Sequence, residues 1–293
     1  PEFKRWSLKR KEMYPRISEM IARISPDLLI VNTHELLSLA VELKQKRPED
    51  LKLIYDIREN YYDNLVLAGF PFSAWAARNV RKKEDRLATH IDHFILAEKC
   101  YRNLPFIDKR FTVLENKSVY QVQGKRDHRK LKKLVFTGTL SEQSGVFRAI
   151  HIAESLHGKD PNVMLKVVGN SFDRKIIRRI RSIASALPWM NADIAEAPLP
   201  YHRILEAIKS ADAGMILNSN IPEIREKMPT KLYEYTAHQL PIICTDDSPW
   251  MTFMEQYPAA IPWQNDPTAF LKAFDRINFY RTKPGSEVLW KEL

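Results

Sequence analysis

Short apolar runs alternate with amphipathic stretches along nearly the whole of this chain, and that alternation leaves few folds open to it. In the first part, residues 27–32, 51–57, 93–97 and 111–114 read as short buried strands, and residues 7–24, 36–45 and 74–89 carry helical spacing. A charge-rich break follows at residues 125–133, K-R-D-H-R-K-L-K-K, the expected interdomain linker. The pattern then restarts. Strands are expected at 134–137, 163–168, 192–195, 213–217 and 242–245, and helices at 145–155, 174–187, 201–210, 230–239 and 268–277. Strand-helix alternation of this kind marks a doubly wound parallel sheet. Two such runs in 293 residues imply two Rossmann-like α/β domains.

The stretch from 222 to 250 reads P-E-I-R-E-K-M-P-T-K-L-Y-E-Y-T-A-H-Q-L-P-I-I-C-T-D-D-S-P-W, with Glu226 and Glu234 eight positions apart. Pro229 suits a first helical residue, so a helix is expected to start there with its leading N–H groups unpaired. That end attracts anions, and Lys231 beside Thr230 adds a full positive charge, which together favour a diphosphate. Glu234 can accept both hydroxyls of a ribose, and Glu226 those of a second hydroxylated group. Upstream, F-T-G-T-L-S-E-Q-S-G-V at 136–146 forms a glycine-bearing strand-to-helix turn, with Gly138 after the strand and Gly145 before the helix. Gly169 and Asn170 close the next strand in the same way.

These stretches resemble family 4 glycosyltransferases, retaining enzymes of the GT-B fold, in the E-x7-E spacing and in K-L-Y-E-Y-T-A-H-Q-L-P-I-I-C-T-D. The resemblance implies an α/β GT-B protein of two facing Rossmann-like domains with parallel sheets, the N-terminal one incomplete. Residues 1–125 would form the acceptor domain, 126–277 the nucleotide-sugar domain, and 278–293 the start of the C-terminal crossover helix. It gives Glu226 the donor sugar, Glu234 the ribose, and Lys231 with Thr230 the diphosphate. Gly138, Thr139, Gly169 and Asn170 would line the nucleotide. Two departures stand out. The family's loop cations, an Arg and a Lys, are here Thr139 and Ser144, and the His of its Y-D-x-H-E-x-Y motif is Arg58 in I-Y-D-I-R-E-N-Y-Y. Arginine is no base at neutral pH, but it can stabilise charge on a leaving diphosphate. His34, Glu59 and Tyr61 are the acceptor-side candidates.

Composition narrows the function further. With 44% hydrophobic residues the chain can bury sizeable cores, and no apolar run approaches the ~20 residues that span a bilayer. Cys100 and Cys244 match no metal spacing and read as reduced thiols of a cytoplasmic protein. Of the net charge of +10, residues 1–130 hold +8, with 26 Lys and Arg against 18 Asp and Glu. Such a basic half can rest peripherally on an anionic membrane or meet an anionic acceptor; a merely solvated surface is the other reading. No base-reading motif accompanies the basic linker, so no nucleic-acid partner is expected. His90-Ile91-Asp92-His93 stands at a helix-to-strand junction where alternation splays side chains, and D-x-D is absent. The expected activity is therefore transfer of a sugar from a nucleotide-diphosphate-sugar to a glycan or lipid-linked acceptor, with no cofactor and no metal. The alternative is a non-catalytic nucleotide-sugar-binding or partner subunit of the same fold.

Overall fold

The computed structural model describes residues 12–108, 110–115, 117, 130–221, 226–245, 250 and 260–276. Its contacts separate into two units, Pro1–Asn116 and Lys117–Leu293. Residues 125–129 of the expected linker and the expected crossover helix at 278–293 lie outside the described residues.

Unit 1 is a four-stranded parallel sheet in the order β1 (Leu28–Val31), β2 (Lys52–Ile57), β3 (His93–Leu96), β4 (Phe111–Val113). Its helices are α1 (Tyr14–Ile24), α2 (His34–Lys46), α3 (Tyr61–Ala68) and α4 (Ser73–Leu87). Strand β2 buries Leu53, Tyr55 and Ile57 at alternate positions, and these pack with Leu37, Ala40 and Val41 of α2 and with Phe94 and Leu96 of β3. A smaller cluster of Tyr61, Leu65, Ala77 and Val80 joins α3 to α4. The sequence reading expected no helix at α3. Gly69 marks it in retrospect, taking φ 61° as the left-handed residue that ends the helix.

Unit 2 is a six-stranded parallel sheet in the order β10-β9-β8-β5-β6-β7. Its strands are β5 (Lys133–Thr139), β6 (Met164–Asn170), β7 (Met190–Ala195), β8 (Ala213–Ile216), β9 (Ile242–Thr245) and β10 (Ala260–Trp263). The helices are α5 (Val146–His157), α6 (Arg174–Ala186), α7 (Tyr201–Ser210), α8 (Thr230–Ala237) and α9 (Pro267–Arg276). Alternation along β5 feeds both faces: Leu134 and Phe136 pack beneath α5, α6 and α9, and Val135 packs with Ala207, Ile208, Leu232 and Tyr235 of α7 and α8. Strand β10 was not expected because Pro262 interrupts it; on an edge, bonded among the described strands to β9 alone, a proline is tolerated.

The strand order carries a functional consequence. The chain winds outward from β5 through β6 and β7, then returns to β8 on the other side of β5 and winds outward again through β9 and β10. Ligands of open parallel sheets bind outside the carboxyl ends of the strands at such a reversal.

Candidate functional site

The carboxyl ends of β5 and β6 are held unusually close. Gly138 and Gly169 are paired in register, and a Cβ on Gly169 would fall 1.9 Å from the Gly138 carbonyl oxygen. Gly138 itself takes φ 100°, a conformation few other residues tolerate, with open space where a side chain would stand. Gly145, at φ 82° ahead of α5, would place a Cβ 2.0 Å from the Leu217 carbonyl oxygen at the end of β8. Gly169 therefore lets backbone approach backbone between β6 and β5, and Gly145 between the start of α5 and the end of β8, while Gly138 supplies the left-handed backbone. Thr139 is exposed at the rim, and Asn170 is half-buried beside it.

Helix α8 is pinned to this edge through its own residues. The Tyr235 hydroxyl accepts from the Thr137 N–H at 3.1 Å and lies 3.0 Å from the Thr137 hydroxyl. Gly214 makes room for the Tyr235 ring, since a Cβ there would stand 2.5 Å from it. Pro229 proves to be the residue before the helix rather than the first within it, with an extended backbone at ψ 127°. Its carbonyl accepts from Leu232 N–H at 2.8 Å, closing the first turn ahead of Thr230 and Lys231. The helix ends at Ala237 and not at the expected Gln239, which instead takes φ 51°.

Lys231 differs from its expectation. In place of the fully charged cation expected there, its ammonium is buried and stands 3.9 Å from the centre of the Phe136 ring. Burial pulls its pKa down to about 7, against the opposing pull of Glu234. At neutral pH the side chain is thus poised between charged and neutral. Glu234, half-buried in the second turn, is shifted upward by burial; a hydrogen bond from the Tyr201 hydroxyl and the Lys231 charge act the other way. Tyr201 opens α7, so the Glu234 carboxyl joins two helix starts at one end of the sheet. Thr230 is exposed. Glu226 is exposed in the turn four residues ahead of α8, a turn tied down by Trp250, whose indole N–H donates to the Lys227 carbonyl at 2.8 Å.

Sequence reasoning missed Tyr201 and Asn218. The first carried no motif and emerges only through its bond to Glu234. Asn218 follows β8 with its Oδ1 buried and, among the described residues, without a hydrogen-bond partner, a costly state for an acceptor at the edge of this site. Ser144, where the resemblance leads one to expect a Lys, is held within its own turn. Ser144 and Ser141 exchange hydrogen bonds, Ser141 N–H to Ser144 Oγ at 2.9 Å and Ser144 N–H to Ser141 Oγ at 3.0 Å, so Ser144 is spent on its own turn.

In unit 1, His34 and Tyr61 meet with ring centres 4.4 Å apart, and the Glu35 carboxylate lies 3.4 Å from His34 Nδ1. These three line a cavity of about 270 Å³ together with Asn64, Leu65 and Phe70. Asn64 also donates to Glu59 at 2.9 Å, which ties the third acceptor-side candidate to the same wall. Arg58 stands apart from them, exposed, its Nε 2.8 Å from Asp56 Oδ2. Among the described residues no group of His, Cys, Asp or Glu could hold a metal ion, and no helix is long and apolar enough to cross a membrane. Asp92 serves structure instead, accepting from the Leu53 N–H at 2.7 Å and from Lys44. A separate cavity of about 160 Å³ at the amino ends of β5 and β6 is lined mainly by apolar groups such as Leu134, Leu165 and Ala207, and carries no comparable chemistry.

Comparison with known proteins meets this geometry. The pneumococcal O-GlcNAc transferase GtfA, solved with UDP and GlcNAc, is similar over 94% of this chain and 56% of its own, at 12% identity and a TM-score of 0.62. HepE of Anabaena, solved with UDP and glucose, is similar over 92% of this chain and 72% of its own, at 12% identity and a TM-score of 0.61. The sucrose-phosphate synthase of Thermosynechococcus elongatus is similar over 97% of this chain and 76% of its own, at 14% identity and a TM-score of 0.61. This chain thus spans little more than half the length of GtfA. Likeness at such identity establishes the fold, a GT-B arrangement of α/β units with parallel sheets. No curated protein matches the chain. The family model described as glycosyl transferases group 1 matches residues 121–277, more than half of the sequence and all of the described residues of unit 2 from Lys130 onward, and the chain belongs to that family.

Proposed function

We propose that this chain is a retaining, metal-independent glycosyltransferase that moves a hexosyl unit from a nucleotide-diphosphate-sugar to a glycan or lipid-linked acceptor in polysaccharide or glycoconjugate biosynthesis. The observation that carries the reading is the seat of α8: its start lies at the β5/β8 reversal, preceded by Glu226 and followed one turn on by Glu234. The diphosphate takes the Thr230 and Lys231 N–H groups and gains from the Lys231 charge beneath them. Glu234, oriented by Tyr201, accepts the ribose hydroxyls. Glu226 accepts hydroxyls of the transferred sugar, and the paired glycines Gly138 and Gly169, with Thr139 and Asn170, let the nucleotide lie against backbone. Similar proteins solved with UDP support uridine as the base. Arg58, oriented by Asp56, is the candidate to stabilise the leaving diphosphate. His34, Glu59 and Tyr61 are assigned to the acceptor, and the protein to the cytoplasm, peripheral to the membrane. No cofactor enters this scheme.

The non-catalytic reading draws on one observation. Thr139 and the self-bonded Ser144 supply no cation to the diphosphate where the resemblance leads one to expect two. Incubation with a panel of UDP-sugars and release of UDP separates the two. Turnover that Glu226→Gln lowers by about a hundredfold supports the transferase; tight UDP-sugar binding with no UDP release in any acceptor mixture supports the partner subunit.

A further inference from the structure

Where α3 hands over to α4, unit 1 exposes an aromatic cluster. Phe70, Phe72 and Trp75 fall within six residues and are 40%, 81% and 62% exposed. Single apolar side chains on a surface are ordinary, but three large rings together mark an interaction site. Phe72 also takes φ 69°, a left-handed backbone that is costly for a side chain of this size, at the N-cap of α4. Beyond Trp75, the exposed face of α4 continues at helical spacing through Arg78, Lys82 and Arg86, with Asp85 at its margin; Ala77, Val80, Glu84 and Leu87 point inward. Rings at one end and three cations along the same face match the two layers of a membrane surface, where aromatic rings enter the headgroup region and basic side chains meet lipid phosphates.

We propose that Phe70, Phe72 and Trp75, with Arg78, Lys82 and Arg86, rest unit 1 on an anionic bilayer. Phe70 also lines the cavity that holds His34, Glu35, Tyr61 and Asn64, so that cavity opens beside the membrane contact. Its acceptor is then a lipid-linked glycan, with the head in the cavity and the lipid left in the bilayer. This last step rests on the transferase reading; the membrane contact does not.

The test is co-sedimentation of the 293-residue chain with vesicles of phosphatidylcholine, alone or with about one-third phosphatidylglycerol. Binding is expected on the anionic vesicles only, and ~0.5 M salt should release it. The pair Phe72→Gly and Trp75→Ser should weaken partitioning about tenfold or more. Phe72→Gly alone should raise the melting temperature by about 2 °C, because it relieves the left-handed backbone while leaving the core intact. The contact is overturned by failure of the chain to sediment with either vesicle, by equal binding to both, by undiminished binding of the double variant, or by a chain dimer that needs these rings and binds no lipid. UDP titration of the same preparations keeps the two readings apart. A chain that binds UDP and no vesicle refutes the membrane contact alone, and one that binds vesicles and no UDP refutes the transferase alone.

Discussion

The two units present their carboxyl ends in opposite ways. In unit 2 that edge is built from backbone brought to close approach by Gly145 and Gly169, from the left-handed Gly138, from a tyrosine hydroxyl clamped on Thr137, and from buried groups at Lys231 and Glu234. In unit 1 it is built from side chains, a His34–Tyr61–Asn64 wall around a cavity with a half-exposed aromatic rim. A rigid edge suits the diphosphate and ribose that every nucleotide-sugar shares; an edge made of side chains can be altered residue by residue to suit one acceptor. Substitutions in unit 2 should accordingly damage the fold or donor affinity, and those in unit 1 should act on acceptor choice.

The largest effect is expected at the glycines. Gly169→Ala and Gly145→Ala each drive a Cβ into a carbonyl group and should cost about 3 kcal/mol in urea unfolding, whereas Gly138→Ala, strained but unobstructed, should cost about 1–2 kcal/mol. Equal losses at Gly138 and Gly169 would remove the distinction between strain and collision. Next is the pH dependence of donor binding. Lys231 loses its proton above about pH 7, so UDP affinity measured by calorimetry should fall about tenfold per pH unit above that point, with proton uptake on binding. Lys231→Met should bind UDP weakly and without that slope.

A buried carboxyl in unit 1 supplies a third test. Glu84 accepts from the Tyr55 hydroxyl at 2.8 Å, and burial pushes its pKa up to about 7 from an ordinary 4.5. The folded state therefore holds a proton that the unfolded chain releases between pH 4.5 and 7. Its stabilising effect is fully present below pH 4.5 and is lost as pH rises through 7, by up to about 3 kcal/mol. Glu84→Gln should flatten that part of the stability profile; an unchanged slope would place the titrating group elsewhere. The smallest effect is expected at Asn64→Ala, which should raise the acceptor KM about threefold and leave UDP affinity unchanged. A change in UDP affinity would contradict the division between the two edges.

Much of the fold was legible because burial in parallel sheets leaves continuous apolar runs, and every strand expected from such a run is present. Strand β10 escaped because Pro262 breaks its run, and α3 because its 8 residues begin at the end of the I-Y-D-I-R-E-N-Y-Y stretch. Helix α8 was also legible from its start signal at Pro229, though it begins one residue later, at Thr230. Lys231 was legible as a residue but not as an environment: position at a helix start implies exposure, and only packing places Phe136 beneath its ammonium. Tyr201 and Asn218 come from elements remote in sequence from α8, and no local pattern could have joined them to it.

The seat of the nucleotide on α8 is tested most directly by titrating UDP into wild-type chain, Glu234→Gln and Glu226→Gln by calorimetry. Loss of a charged acceptor to the ribose should weaken UDP binding about 10- to 100-fold in Glu234→Gln, while Glu226→Gln binds UDP as the wild type does. UDP binding of wild-type strength in Glu234→Gln would contradict the assignment of the ribose to this carboxylate, and with it the site.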